Sequence, residues 1–385
     1  MTVFPKFIES PPHSNAKSAI FSSIKRSVAV FLLLAFAATL SSHLFIRRVW
    51  DSSNSGIHPP ETAFDSAILD YAATDLGQSH MRADIDLLLG DTANFSGRYR
   101  VSPKLRRFRI HEFGSRSQQF SRYWEDFRRE LTLWRRRMAF DDEIMNELGS
   151  LVKRQIRFNG SFTSCAVVGN SGILLEKEHG SLIDSHDVVI RLNNARTTGF
   201  ETRVGSKTTI SFINSNILHQ CWMSNRCACQ PYGAEVSTVM YLCQAIHMLD
   251  YNVCKTTHTA ALVVTDARFD ALCARIVKYY SVKGLVERTG KEAAEWGATH
   301  DDALFHYSSG MQAVMLAVGM CRRVGLFGFG KSASAKHHYH TDQKEELKLH
   351  DYKAEMEFYS DLVKNPTAVP FVSRTFSFPS VTIHT

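Results

Sequence analysis

From Ser164 onward, short apolar runs alternate with helical patterns over roughly 200 residues of the chain. Three of these runs predict buried strands: Cys165–Val168, Val188–Ile190 and Val324–Phe327. The apolar segment Met311–Cys321 predicts a helix. Strands and helices that alternate in this way build a parallel sheet covered by helices. The sequence therefore predicts an α/β fold with a largely parallel sheet.

A second constraint is an uncharged segment near the N-terminus, Ser27–Ile46, with twenty consecutive residues that are not Lys, Arg, Asp or Glu. A helix of that length spans about 30 Å, the thickness of the hydrocarbon core of a bilayer. Four basic residues and one acidic residue precede it, which favours a cytoplasmic N-terminus. The alternative is a signal peptide cleaved near Ala35-Phe36-Ala37, but the polar lead and the apolar run are both long for one. We expect a cytoplasmic tail at 1–26 and an uncleaved transmembrane signal-anchor at 27–46.

The net charge of +7 on this 385-residue chain is concentrated in one stretch. Arg98–Arg137 holds 13 Lys and Arg against 4 Asp and Glu, and the remaining residues are close to neutral. Within this stretch, apolar residues recur at helical spacing from Phe120 to Trp134, with arginines on the other faces. This pattern favours a solvated basic helix over a nucleic-acid surface. We interpret residues 47–150 as a lumenal stem.

All eight cysteines follow the predicted span, which agrees with an oxidising compartment. Disulfides are the simplest use of an even number of cysteines in a lumenal domain. The cluster Cys221, Cys227 and Cys229 leaves zinc binding open as an alternative, although it lacks a second CxxC-type pair. Asn94 and Asn159 each begin an N-glycosylation sequon, which is usable if this side of the membrane is lumenal.

Two glycine-containing turns precede helical segments. Gly169-Asn-Ser-Gly172 follows the first predicted strand, and Ser308-Ser-Gly310 begins the apolar helix. Glycine lets the backbone approach a ligand closely, and free N–H groups at a helix N-terminus suit a phosphate. Each turn alone is equally typical of a structural turn or a serine helix cap. Together, at the carboxyl ends of parallel strands, they favour a substrate that carries a nucleotide.

Histidines cluster after the strand that ends near Phe327. Three of them, His337, His338 and His340, share one polar loop, and His350 follows. A neutral histidine can take a proton from a hydroxyl nucleophile, and a protonated one can stabilise a departing phosphate. Surface histidines or an adventitious metal site are the alternatives that the residues leave open.

Four segments in order resemble the motifs of the eukaryotic sialyltransferases. Cys165–Asn214 resembles the long sialylmotif, and His306–Gly330 resembles the short one. His337-His-Tyr-His340 is similar to the third motif, and His350–Glu355 to the very short motif. The resemblance covers roughly residues 150–360, and tail, span and stem match the family's layout. It implies a Rossmann-like, GT-A-like single catalytic domain at 151–385, which inverts the anomeric centre without a metal.

The resemblance also implies roles for individual residues. The donor, a CMP-sugar, would be bound by Asn170, Asn193, Ser308, Ser309 and Gly310. His338 would bind the phosphate of the leaving CMP, and His350 would be the general base on the acceptor hydroxyl. Glu355 would orient that part of the site, and Cys165 and Cys321 would form the family's disulfide. No cofactor is expected. Asp84-Ile-Asp86 is a DxD sequence of the kind that binds metal in other glycosyltransferases, but it lies in the stem, so we interpret it as incidental.

Two departures border the implied donor pocket. Tyr307 stands where the family usually has proline, and Thr341 stands where its third motif usually ends in an acid. Such departures are similar to those of plant sialyltransferase-like proteins. The leading expectation is a Golgi type II membrane enzyme that transfers sialic acid or a related keto-deoxy acid to a terminal galactose of a glycan or glycoprotein. The alternatives are galactosyl transfer in plant cell-wall arabinogalactan synthesis and a catalytically silent glycan-binding scaffold.

Overall fold

Seven parallel strands form one sheet in the computed structural model of the chain. The structure describes a few positions between 68 and 89, residues 118–136, and residues 162–385 apart from 225–230, 234, 256–258, 301–304, 333, 343–349 and 370–375. The strands are β1 Phe162–Val168, β2 Val188–Leu192, β3 Ile210–Asn214, β4 Ser237–Tyr241, β5 Leu262–Val264, β6 Cys321–Phe327 and β7 Ser380–His384. Their order across the sheet is β5-β4-β3-β2-β1-β6-β7.

Helices connect the strands. Those of the described residues are α1 Gln118–Arg136, α2 Gly180–Asp184, α3 Glu201–Val204, α4 Ser215–Met223, α5 His247–Cys254, α6 Ala267–Thr289, α7 Trp296–Thr299, α8 Ser309–Met320 and α9 Tyr352–Lys364. Short 3-10 turns lie at Gly172–Leu175, Ala293–Glu295 and Pro366–Ala368. The prediction of an α/β fold with a parallel sheet is confirmed, as are the predicted strands in β1, β2 and β6.

The sheet is buried on both faces. Cys165 and Val167 of β1 belong to one core cluster, whereas Ala166 and Val168 belong to another on the opposite face. This alternation follows from the two-residue period of a strand, so a continuous apolar run serves both faces. Helix α8 packs across β1, β2, β3 and β6 on the first face. The predicted helix Met311–Cys321 thus forms, although it begins at Ser309, and Cys321 already starts β6.

The helix that the apolar spacing of the basic stretch predicts is present as α1. Its residues Phe127, Leu131 and Trp134 are buried in one cluster with Met248 and Leu249 of α5. The apolar face of α1 therefore packs on the α/β unit. The predicted stem boundary at residue 150 stays a prediction.

One disulfide joins Cys165 to Cys321, as the resemblance implied. It ties β1 to the first residue of β6, the neighbouring strand. Cys221 and Cys254 are also disulfide-bonded, so Cys221 has no thiolate for the zinc site that the sequence left open. Cys243 and Cys273 keep free, buried thiols, which shows that disulfides do not take up all eight cysteines.

No helix among the described residues is long and apolar enough to cross a membrane. The predicted anchor at 27–46, the two sequons at Asn94 and Asn159, and Asp84 of the DxD sequence all lie outside the described residues.

Candidate active site

The candidate site lies where the chain reverses its direction across the sheet. From β1 the strands progress to one side as far as β5, and the chain then returns to place β6 on the other side of β1. In parallel sheets, ligands bind in the crevice at the carboxyl ends of the strands that flank such a switch point. Here those ends lead into Gly169–Gly172 after β1 and Gly328–Gly330 after β6.

The turn after β1 lies against the turn after β6. The Gly169 amide donates to the Phe327 carbonyl at 2.7 Å, and a Cβ on Gly169 would lie 2.7 Å from the Gly328 oxygen. A side chain at Gly169 would therefore force two backbone segments apart. The glycine is required by this close approach between two backbone segments, whereas the sequence interpretation attributed it to the approach of a ligand.

The loop that carries the histidines is anchored on the same turn. Gly172 donates its amide to the Lys336 carbonyl at 2.9 Å, and the Tyr339 amide donates to the Asn170 carbonyl at 2.8 Å. A Cβ on Gly172 would meet the Lys336 oxygen at 2.6 Å. His338, which lies between these anchors, is thereby brought to the donor turn predicted from sequence.

Asn170 offers a hydrogen-bond acceptor in this turn. Its side-chain Oδ1 is buried and has no hydrogen-bond partner in the described part of the protein. Buried polar atoms in native proteins are generally paired, so an exception at a switch-point turn fits an atom that awaits a ligand donor. The structure places Asn170 in the turn after β1, and its role in binding a donor stays a prediction.

Asn193 follows β2 at the same edge of the sheet. Its φ of 53° is in the left-handed region, which asparagine tolerates better than most residues. Its Oδ1 accepts the Asn214 amide at 3.2 Å, and Asn214 Nδ2 donates to Ser309 Oγ at 3.4 Å. The structure therefore connects the ends of β2 and β3 to the start of α8. Asn214 was not singled out from the sequence, where its only signal is its place before a helix.

Ser308 and Glu355 form the most enclosed part of the site. Ser308 is the N-cap of α8, and its Oγ accepts the Met311 amide at 3.2 Å. The same hydroxyl donates to Glu355 Oε2 at 2.5 Å, and the Ser308 amide donates to Oε1 at 2.7 Å. Burial raises the pKa of Glu355 to about 7, against the opposing effect of the Ser308 hydrogen bonds. Glu355 thus holds the Ser308–Gly310 turn in place, and the role in orienting the site that the resemblance implied for it stays a prediction.

His350 is held in one tautomer. Its Nδ1 lies 2.7 Å from the His306 carbonyl oxygen, which can only accept, so Nδ1 carries the proton and Nε2 carries the lone pair. Burial lowers the pKa of His350 to about 4, against the opposing effect of the His306 hydrogen bond and with a smaller contribution from the charge of His337. The ring is therefore neutral near pH 7. A neutral ring with a free Nε2 lone pair is the form that a general base requires.

His338 is surrounded by other rings. It stacks on His337 with centroids 4.5 Å apart and on His340 with centroids 5.5 Å apart. Burial lowers the pKa of His338 to about 4, and its two histidine neighbours act in the same direction. A phosphate would act in the opposite direction, because a nearby negative charge favours the imidazolium. His338 is thus neutral here, and an anionic ligand would raise its pKa.

Tyr352 links the histidine loop to the start of α9. Its hydroxyl lies 3.5 Å from His337 Nε2, and its ring lies 5.4 Å from the rings of both His337 and His350. The structure therefore brings the third and fourth motif segments together. Sequence reasoning missed this tyrosine, and only its position two residues after His350 could have indicated it.

A second polar cluster lies between α4 and α5. His219, His247 and Asp250 place possible metal-ligand atoms within 4.8 Å of one another. However, the two imidazoles are stacked 4.7 Å apart at 15°, so an ion in the plane of one ring would lie off the plane of the other. His219 Nδ1 also pairs with Asp250 at 2.8 Å, and His247 Nδ1 with Ser215 Oγ at 2.8 Å. The cluster is a hydrogen-bonded brace between two helices.

These features define a class of protein. A doubly wound parallel sheet, two glycine-containing turns at its switch point and a neutral, oriented histidine beside them are typical of an α/β enzyme acting on a nucleotide-bearing substrate. Residues 112–367 match the model of glycosyltransferase family 29 (sialyltransferase). The chain belongs to this family and is a glycosyltransferase.

Named relatives agree with this assignment. The beta-1,6-galactosyltransferase GALT29A of Arabidopsis thaliana is 47% identical over 94% of this chain and 100% of the relative. Sialyltransferase-like protein 2 of Oryza sativa subsp. indica is 54% identical over 63% of this chain and 62% of that protein. Among solved structures, a mammalian sialyltransferase aligns at 22% identity with a TM-score of 0.37, over 71% of this chain and 87% of that chain.

Proposed function

We propose that this glycosyltransferase transfers galactose from a nucleotide-sugar donor to a galactose-containing cell-wall glycan such as arabinogalactan. The observation that carries this proposal is the 47% identity, over 94% of the chain, to a protein named as a beta-1,6-galactosyltransferase. A CMP-linked sialic or keto-deoxy acid is the second candidate donor, favoured by the four motif segments that match the sialyltransferases. The sequence alone favoured a sialic or keto-deoxy acid over galactose as the transferred sugar. The identity to this galactosyltransferase reverses that order.

The site geometry supports a single-displacement mechanism. His350 Nε2 takes the proton from the acceptor hydroxyl, and the hydroxyl oxygen attacks the anomeric carbon of the donor sugar. The bond from that carbon to the phosphate oxygen of the nucleotide breaks, and its electron pair leaves with the phosphate. One displacement inverts the anomeric centre. We propose that no metal takes part.

In this mechanism, protein groups stabilise the negative charge on the leaving phosphate. The amides at the N-terminus of the twelve-residue helix α8 carry partial positive charge, and Ser309 and Gly310 lie in its first turn. His338, neutral in the resting site, takes up a proton as the phosphate arrives and offsets the charge that develops on it. Asn170 and Asn193 place amide groups at the adjoining strand ends.

A donor panel tests the reaction. The full chain in detergent micelles is incubated with UDP-galactose, CMP-N-acetylneuraminic acid or CMP-linked keto-deoxy acid, and with galactose-terminated oligosaccharides or arabinogalactan. We expect product from UDP-galactose. Product from a CMP-sugar alone would refute galactose as the transferred sugar and support the sialic or keto-deoxy acid. Absence of turnover with every donor, in protein that still binds a nucleotide, would refute both and favour the scaffold.

His350→Ala tests the assignment of the base, with His300→Ala as its matched control. His300 stacks on Trp296 with centroids 4.7 Å apart, and its Nε2 lies 3.9 Å from Asp351 Oδ2, a contact that involves neither the two donor turns nor the hydrogen bond of His350. We expect His350→Ala to lower transfer at least about a hundredfold while nucleotide binding persists, and His300→Ala to retain transfer. Full transfer by His350→Ala would contradict the mechanism. Loss of transfer on addition of EDTA would contradict the proposal that no metal takes part.

We further propose a Golgi location with type II topology. The support is the uncharged segment at 27–46, the basic tail before it and the disulfides beyond it. In microsomes, the catalytic domain should resist protease until detergent is added, and glycosidase should shift its mobility if Asn94 or Asn159 carries a glycan. Digestion of the catalytic domain in intact microsomes would contradict this topology.

A further inference from the structure

Two groups that matter to the proposed reaction are held by one short segment, residues 306–308. The His306 carbonyl accepts the Nδ1 proton of His350 at 2.7 Å, which sets the tautomer of the base. Two residues later, the amide and hydroxyl of Ser308 bind the Glu355 carboxylate at 2.7 and 2.5 Å. A displacement of this segment would therefore alter the base and the second donor turn together.

The residue between these two, Tyr307, connects the segment to the protein interior. Its side chain is buried, and its hydroxyl accepts a hydrogen bond from Gln312 Nε2 at 3.0 Å. The same nitrogen donates to Asp270 Oδ1 at 2.6 Å, and Thr265 Oγ1 donates to that oxygen at 2.9 Å. The chain of contacts thus runs from α6 through α8 to the segment.

We propose that Asp270, acting through Gln312 and Tyr307, is a positioning residue that fixes the 306–308 segment and thereby holds His350 in its Nδ1–H tautomer. The catalytic consequence rests on the proposed function, whereas the tautomer does not.

The arrangement of the Gln312 amide supports this proposal. The side chain is fully buried, and both N–H groups of its Nε2 have acceptors, on Asp270 and Tyr307. Its Oε1 is buried without a hydrogen-bond partner among the described residues. An amide that leaves its oxygen unpaired while its nitrogen makes two short contacts is oriented by those two acceptors. Gln312 thus acts as a bridge between them.

The bridge also depends on Tyr307, one of the two departures from the family motif described above. Tyr307 stands where the sialyltransferase motif usually has proline, and proline has no hydroxyl to accept the amide. Burial of Asp270 raises the pKa of its carboxyl to about 7, an effect that the Thr265 and Gln312 hydrogen bonds oppose. Asp270 also lies in the first turn of α6, where the helix dipole favours a negative group.

The first test reads the tautomer directly. In the full chain with ¹⁵N-labelled histidine, the ring signals that vanish in His350→Ala assign His350. We expect Nδ1–H with an unprotonated Nε2 in the native protein. Tyr307→Phe and Gln312→Met each remove the bridge and should give a mixture of tautomers. Asp270→Leu should do the same, whereas Asp270→Asn, which keeps an acceptor oxygen, should restore the native signal.

Tyr280→Phe is the matched control. It removes another buried tyrosine hydroxyl, which donates to Asp361 Oδ2 at 2.8 Å and makes no contact with the 306–308 segment. Its loss should leave the His350 signal unchanged. If the His350 signal changes as much in Tyr280→Phe as in Tyr307→Phe, the change is a general effect of lost packing and the proposal is overturned. A native His350 signal in both Tyr307→Phe and Gln312→Met would also overturn it.

The second test is kinetic. Tyr307→Phe should lower kcat at least about tenfold with little change in the donor KM, because a misplaced base slows chemistry more than binding. Tyr307→Phe and Gln312→Met combined should be no worse than either alone, since both break one bridge. Additive losses, or a rise in KM with unchanged kcat, would overturn the catalytic consequence. Absence of transfer by the native protein with every donor would refute the proposed function, and the tautomer test would still decide the bridge.

Discussion

Replacing Ser308 with alanine removes two hydrogen bonds that one hydroxyl makes at the same time. The Oγ accepts the Met311 amide at 3.2 Å and donates to Glu355 Oε2 at 2.5 Å. Loss of a serine N-cap costs about 1 kcal/mol, and loss of a hydrogen bond to a charged acceptor costs about 2 kcal/mol. We therefore expect Ser308→Ala to lower the free energy of unfolding by about 3 kcal/mol.

The loss should depend on pH, because Glu355 is the acceptor. Its pKa is raised to about 7, so the carboxylate is charged above that pH and protonated below it. Hydrogen bonds to an ionised acceptor are the stronger ones. The destabilisation should thus be about 1 kcal/mol larger at about pH 8 than at about pH 5.5.

Urea-induced unfolding of the full chain in detergent, at both pH values, measures these two quantities. Ser332→Ala is the matched control, because among the described residues Ser332 Oγ bonds only the exposed Ser334 Oγ, at 2.9 Å. Its free energy of unfolding should change by less than about 0.5 kcal/mol. A loss below about 1 kcal/mol for Ser308→Ala, with no dependence on pH, would refute the reasoning that Ser308 links α8 to a buried carboxylate.

Two further predictions concern the donor turn and the base. Gly169→Ala places a Cβ 2.7 Å from the Gly328 oxygen, so we expect the free energy of unfolding in urea to fall by about 1–3 kcal/mol. We also expect weaker nucleotide binding by calorimetry. Native values for both would show that the turns after β1 and β6 can separate freely. Because the pKa of His350 is lowered to about 4, its ring is neutral above that pH, and kcat/KM should stay level down to about pH 5 and fall as the pH drops through about 4. A midpoint near 6.5 would mean that His350 has an ordinary pKa or is not the base.

The sheet could be predicted from sequence because its signal is local. The apolar runs in β1, β2 and β6 are buried on both faces of the sheet, so they are continuous and do not alternate with polar residues. They are therefore easy to distinguish from the helical patterns between them. The order of the strands carries no such local signal. The return of the chain that places β6 beside β1 brings the turns after these two strands together, and it became visible only in the structure.

The contacts that orient the site side chains are even less accessible to sequence reasoning. The tautomer of His350 is set by a backbone carbonyl at residue 306, and any residue type supplies a carbonyl. Glu355 was associated with His350 because five residues separate them, whereas its hydrogen bonds go to Ser308, 47 residues earlier. Motif resemblance could name these residues, and only their three-dimensional partners could show what each one holds.

The resting protonation states explain how two histidines of similar pKa can take opposite roles in the proposed reaction. Burial keeps His338 and His350 neutral, so neither carries the charge that would repel a proton arriving from the acceptor. His350 is fixed by a carbonyl that leaves Nε2 free, whereas His338 lies in the loop that hydrogen bonds from Tyr339 and Gly172 hold against the donor turn. In the proposed reaction, a donor phosphate bound at that turn would raise the pKa of His338, while the His306 carbonyl keeps the proton of His350 on Nδ1 and leaves Nε2 available as the base.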